Sequence, residues 1–103
     1  MILRSFVALV AGSAMTFSIA PAWAQDAAKT RLLAANCANC HGTDGRTQGG
    51  MPMLAGLPKE YIVQQMQDFK SGKRVATVMH QLAKGYTDAE IDALAGWFAA
   101  NKP

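Results

Sequence analysis

Apolar positions recur along most of this chain at helical spacing, and nowhere do they alternate convincingly enough for a pair of strands. Ser5 to Ala20 is the exception. It carries no charge, and Phe6, Val7, Leu9, Val10, Met15, Phe17 and Ile19 make it apolar. Asp26 to Asn36 predicts a first helix, with Ala28, Leu32 and Ala35 at i, i+4 and i+7 as its apolar stripe and Asp26 at the N-cap or in the first turn. Gly42 to Pro58 is punctuated by five glycines, Pro52 and Pro58, which predicts loop. Loops of that length in small domains are usually functional or wrap something. Lys59 to Ser71 predicts a second helix, started by Pro58 and stopped by Gly72, with Ile62, Met66 and Phe69 as its stripe and Tyr61 beside them. Val75 to Ala83 predicts a short third segment, helical or extended, ended by Gly85. Thr87-Asp88-Ala89-Glu90 has the form of a capping box, after which Ile91, Leu94, Ala95 and Phe98 mark the buried face of a last helix. The predicted class is small all-α.

The N-terminal apolar run has Arg4 ahead of it and Pro21, then Ala22-Trp23-Ala24, behind it. This is the layout of a secretory signal with a small-x-small cleavage site. The run is shorter than the roughly 20 residues a spanning helix takes. The expectation is therefore a cleaved leader over residues 1–24, no stable membrane span after cleavage, and one domain over residues 25–103. Export implies the oxidising periplasm. A domain this short usually needs a disulfide, a metal or another staple beside its core. Without Arg4, nine basic residues face seven acidic ones. That mild charge, with no dense basic run, no Gly-rich phosphate loop and no repeat, gives no ground for a nucleic-acid partner.

The chemistry is concentrated in Asn36-Cys37-Ala38-Asn39-Cys40-His41, which contains C-x-x-C-H, the signature of c-type haem attachment. Two cysteines at this spacing reach the two haem vinyl groups as thioethers, and the adjacent His41 is then held beside the iron. A redox disulfide would have the pair at a helix N-terminus after a strand; here a helix precedes it. Structural zinc would need four ligands, and Cys37, Cys40, His41 and His80 make a poor tetrahedron because Cys40 and His41 are adjacent. A Cys37–Cys40 disulfide closes too small a loop to stabilise much. For the second axial position the candidates are Met51, Met53, Met66, Met79 and His80. Met66 lies on a helix stripe and reads as core. Met51 and Met53 leave little chain to reach the opposite haem face. Spacing leaves Met79 and His80 open. No catalytic residue is predicted.

The segments "CANCHG", "MPMLAGLPKEYIVQQMQDFKSGKR" and "ATVMHQLAKGYTDAEIDALAGWFA" together resemble the bacterial class I cytochromes c, and they cover most of residues 25–103 in the family's order. The resemblance implies the class I cytochrome c fold around one haem c. Thr77-Val78-Met79 matches the segment that supplies the distal ligand, so the implied iron ligands are His41 and Met79. His80 stands where relatives often carry a small residue, which keeps it as a minor alternative. The resemblance also implies that the Pro52 carbonyl accepts a hydrogen bond from the His41 ring. Tyr61, Phe69 and Arg74 match positions near the haem or its propionates, and Trp97-Phe98 matches aromatics that pack on the first helix. Gly96 costs about 1 kcal/mol relative to Ala in a helix, and close helix crossing is one reason to expect it.

With both axial sites filled, the implied role is one-electron transfer with no chemistry of its own, either free or as a subunit of an oxidoreductase. Lys59, Lys70, Lys73, Arg74 and Lys84 would form a weakly basic ring for an acidic redox partner. Within the family, "FKSGKRVATVMHQLAKGYTDAEIDALAGWFA" is most similar to the haem subunits of flavocytochrome c sulfide dehydrogenases. This implies a periplasmic flavoprotein subunit as electron donor. The alternative is a free shuttle between a dehydrogenase and a terminal oxidase or other cytochrome. A haem sensor or minor peroxidase in which Met79 is a labile sixth ligand fits less well, because there is no second distal acid or base triad.

Overall fold

A computed structural model describes Ile19 and residues 22–103. The expected leader therefore lies outside the described residues except for Ile19 and residues 22–24. Four helices follow in order: α1 (Ala22–His41), α2 (Lys59–Ser71), α3 (Met79–Lys84) and α4 (Asp88–Ala100), with a short 3₁₀ turn at Thr43–Gly45. Among the described residues there is no strand, and no helix is long and apolar enough to cross a membrane.

α1 extends beyond its expected limits at both ends. Neither glycine nor proline interrupts residues 22–41, so nothing stops the helix until Gly42 turns out of it at φ 81°. Cys37, Cys40 and His41 thus lie within the last turns of α1 and not after it. The buried face of α1 also differs from the expected stripe. Ala28 and Ala35 are exposed and Leu32 is 73% exposed, whereas Leu33, Ala34 and Cys37 pack into the core. Adjacent leucines in an alanine-rich helix make two stripes nearly equivalent locally. The one that packs is the stripe continuous with Cys37 and His41.

α2 has its expected bounds. Pro58 precedes it, and the Ile62 amide bonds the Pro58 carbonyl at 3.2 Å. Gly72 ends it in the left-handed region at φ 81°. Nothing crowds the Gly72 α-carbon, so backbone conformation alone calls for glycine there. The third segment becomes helical only at Met79; residues 73–78 are irregular. At α4 the capping box forms in both directions, with Glu90 N donating to Thr87 Oγ1 at 3.2 Å and Thr87 N to Glu90 Oε2 at 3.0 Å. The Glu90 carboxyl is held below its usual range, first by the Thr87 amide and then by Lys29, which reaches it from α1 at 3.4 Å.

α4 is the hub, packing on both α1 and α2, while α3 packs on α2. Ile91, Leu94, Ala95 and Phe98 of α4 are buried, and Leu94, Ala95 and Phe98 meet Ala34 of α1 and Ile62 of α2. Trp97 packs at the margin of this cluster. The buried apolar set is thin: among the described residues four of its members are alanines, and Ile91 is the largest side chain wholly removed from solvent. Close crossing does not account for Gly96, because a Cβ there would meet no atom outside its own helix within 4 Å.

Candidate cofactor site

The last two turns of α1 carry the thiols and the imidazole at i, i+3 and i+4, the spacing that places three side chains on one side of a helix. Cys37 is half-buried and Cys40 exposed, both as free thiols. Burial pushes the Cys37 thiol above its ordinary value, with the neighbouring Cys40 adding to the effect and a backbone hydrogen bond opposing it. The pair also sits at the negative end of the helix dipole, which disfavours a thiolate. These are the opposite of the conditions that make a Cys-x-x-Cys pair a redox nucleophile. Among the described residues no three His, Cys, Asp or Glu side chains converge as a metal site. His80 thus does not gather with Cys37, Cys40 and His41 as a four-ligand set.

His41 is 7% exposed, and its Nδ1 lies 2.7 Å from the Pro52 carbonyl oxygen. A carbonyl only accepts, so Nδ1 carries a proton and donates, and in the neutral imidazole the lone pair is on Nε2. The loop from Gly42 onward brings Pro52 to this position. Gly42 and Gly45 both have positive φ. A Cβ on Gly42 would lie 2.2 Å from the Arg46 carbonyl oxygen, so only glycine lets the loop fold back this closely beside His41. The Gly45 carbonyl accepts from Leu54 N at 2.9 Å and Ala55 N at 3.2 Å, closing the base of a loop with Pro52 near one end.

The other expected site residues are spread over the second half of the chain. Met79 opens α3 and is half-buried. The adjacent His80 has its Nδ1 buried without a hydrogen-bond partner. Tyr61, on the first turn of α2, is about half exposed. Met66 packs on the core, as its stripe position predicts. The Arg74 guanidinium stacks 4.6 Å from the Phe69 ring centroid and donates to Gln65 Oε1, so neighbours on α2 already engage it. The expected basic ring is largely neutralised: Lys59 pairs with Asp92 at 2.8 Å, Lys70 with Asp88 at 3.3 Å and Lys73 with Asp68 at 3.7 Å.

These residues fit a covalently held haem. Two reduced thiols share a helix face, an imidazole of fixed tautomer leaves Nε2 free, and a thioether stands at the head of α3. Met51, Met53, Tyr61, Val75, Val78 and Leu82 are exposed, which gives a large apolar ring system side chains to cover.

Residues 25–101 match the family model described as Cytochrome c. Over 67 residues the chain is 46% identical to the cytochrome subunit of sulfide dehydrogenase of Chlorobaculum tepidum, a match covering 65% of this chain and 61% of that one. Over 72 residues it is 40% identical to the thiosulfate dehydrogenase electron acceptor of Thiomonas intermedia, covering 68% of this chain and 33% of the relative. The fold is similar to the solved cytochrome c4 of Acidithiobacillus ferrooxidans, with a TM-score of 0.67 and 33% identity over 73% of this chain and 49% of that one. The chain thus spans less than two thirds of the length of each of these relatives.

Proposed function

The chain belongs to the cytochrome c family, and on that premise we propose that it is a periplasmic one-electron carrier whose single haem c is ligated by His41 and Met79. Family membership implies covalent haem, and the two cysteines it uses are present. The observation that supports the His41 part of this reading is the His41–Pro52 hydrogen bond, which in the neutral imidazole puts the lone pair on Nε2 and orients the ring. When bound, haem c supplies a one-electron couple. Cys37 and Cys40 hold it as thioethers. Met79 Sδ would be the second donor to the iron, where a thioether would favour the ferrous state relative to a second imidazole and would leave no open position for a substrate.

The likeness to a cytochrome subunit of sulfide dehydrogenase supports a flavoprotein dehydrogenase as the electron donor. The likeness to a thiosulfate dehydrogenase electron acceptor supports a second reading, a diffusible carrier between a dehydrogenase and a terminal oxidase or another cytochrome. With three of the five expected ring cations paired internally, docking rests more on the exposed apolar side chains than on charge. The test of ligation is the near-infrared sulfur-to-iron band of the ferric protein. It is expected to vanish in Met79→Ala and survive in His80→Ala; its survival in Met79→Ala overturns the assignment.

A further inference from the structure

We propose that Arg46 is a positioning residue for the His41 ring, acting by tying the Pro52-bearing loop to the stretch that follows α4. The proposal rests on His41 being an axial ligand. Pro52 is itself exposed, as are Met51 and Met53 beside it, so packing does not hold its carbonyl in place. Between Arg46 and Met53 the loop's hydrogen bonds to itself are sparse; one runs from Gly49 N to Thr47 Oγ1 at 3.2 Å. What holds the loop lies at its ends. Arg46 Nε donates to the Lys102 carbonyl at 2.6 Å, and the guanidinium reaches Asp44 at 3.3 Å. Asp44 is the only non-glycine with positive φ among the described residues. The Arg46 carbonyl abuts the α-carbon of Gly42, the residue after His41. Arg46 is therefore anchored by its main chain against Gly42 and Thr43 and by its side chain to a segment 56 residues away. On the other side, Gly56 N donates to the Phe98 carbonyl at 2.9 Å, and the Gly56 α-carbon lies against the Pro103 ring.

A charge-assisted bond to a carbonyl is stronger than a neutral one. Its loss leaves the loop tied by the bonds of Leu54 N and Ala55 N to the Gly45 carbonyl and of Gly56 N to Phe98, and Pro52 is then held less firmly against Nδ1. A weaker Nδ1–H bond makes the imidazole a poorer donor to ferric iron, so the iron is more easily reduced. The experiment uses the haem-loaded protein. In Arg46→Ala the hyperfine-shifted His41 ring N–H resonance should exchange with solvent about 2- to 10-fold faster, the range expected for one lost hydrogen bond. The midpoint potential should rise. Arg46→Lys, which keeps a cationic donor, should restore most of both. Lys102→Ala should change neither, since only the main-chain carbonyl is used. If Arg46→Ala does not mature, Arg46→Met, which keeps an unbranched side chain without the donor, should show the same two shifts. Wild-type exchange and potential in both variants, with only a lower melting temperature, overturn the proposal. Absence of a His41 ring N–H signal from the unaltered protein overturns the ligation reading instead.

Discussion

Gly96 sits inside α4 with open space where a Cβ would go, so its missing side chain serves no packing purpose. Gly96→Ala is expected to raise stability by about 0.5–1 kcal/mol, through helix propensity and a less flexible unfolded chain. Chemical denaturation of the haem-loaded protein measures this, and a loss of stability would mean that a neighbour outside α4 does meet that position. Gly42 is the opposite case: its φ and the Arg46 carbonyl together exclude any side chain. Both are single glycines in the sequence, and only their surroundings tell them apart. For Gly96 the sequence could offer helix crossing only as an expectation, and the structure replaces it with open space.

At the scale of the element, the capping box shows how far local pattern reaches. Thr87 and Glu90 are three residues apart, so their spacing alone predicts both bonds that form at the head of α4. Thr87→Ala should cost about 1 kcal/mol, read as a lower denaturation midpoint. The Glu90 carboxyl has a folded pKa below its unfolded one. Its contribution is therefore complete above the unfolded value near 4.3 and is lost as pH falls through the folded value. Glu90→Gln should accordingly flatten the acid limb of the stability–pH curve, measured by thermal melts from neutral pH downward; an unchanged limb would remove Glu90 from that account. α1 marks where local pattern fails. Leu32 and Leu33 are neighbours, both apolar, in a helix of small residues. The stripe through Ala28, Leu32 and Ala35 is as periodic as the one that packs. The face is chosen by what α4 presents to it, at Leu94, Ala95 and Phe98, and that is not written within α1.

For the whole molecule, the thin core is the governing fact. Among the described residues half of the buried apolar ones are alanines, and a domain of this size seldom folds firmly on so little buried area. The exposed apolar side chains between Met51 and Leu82 are surface that a covalently held haem would cover in the folded chain and leave open in the unfolded one, which adds to the area buried on folding. A Cys37→Ala/Cys40→Ala chain without haem is expected to lose its cooperative thermal transition and much of its helix signal by circular dichroism. A sharp, two-state melt at the temperature of the haem-loaded protein would show that the core suffices alone.

The residues alone were enough for the helical class, the bounds of α2 and the cap of α4. Each depends on backbone preferences and hydrogen bonds among residues within about four positions of one another. The Pro52 contact of His41 was reachable in advance only through the resemblance to a family. Three further features could be had only from the folded chain: which side of α1 is buried, that Lys59 spends its charge on Asp92, and that Arg46 meets the Lys102 carbonyl. These last two pairs lie 33 and 56 residues apart. Their meeting follows from how α4 lies against the rest of the molecule, and no local spacing encodes it.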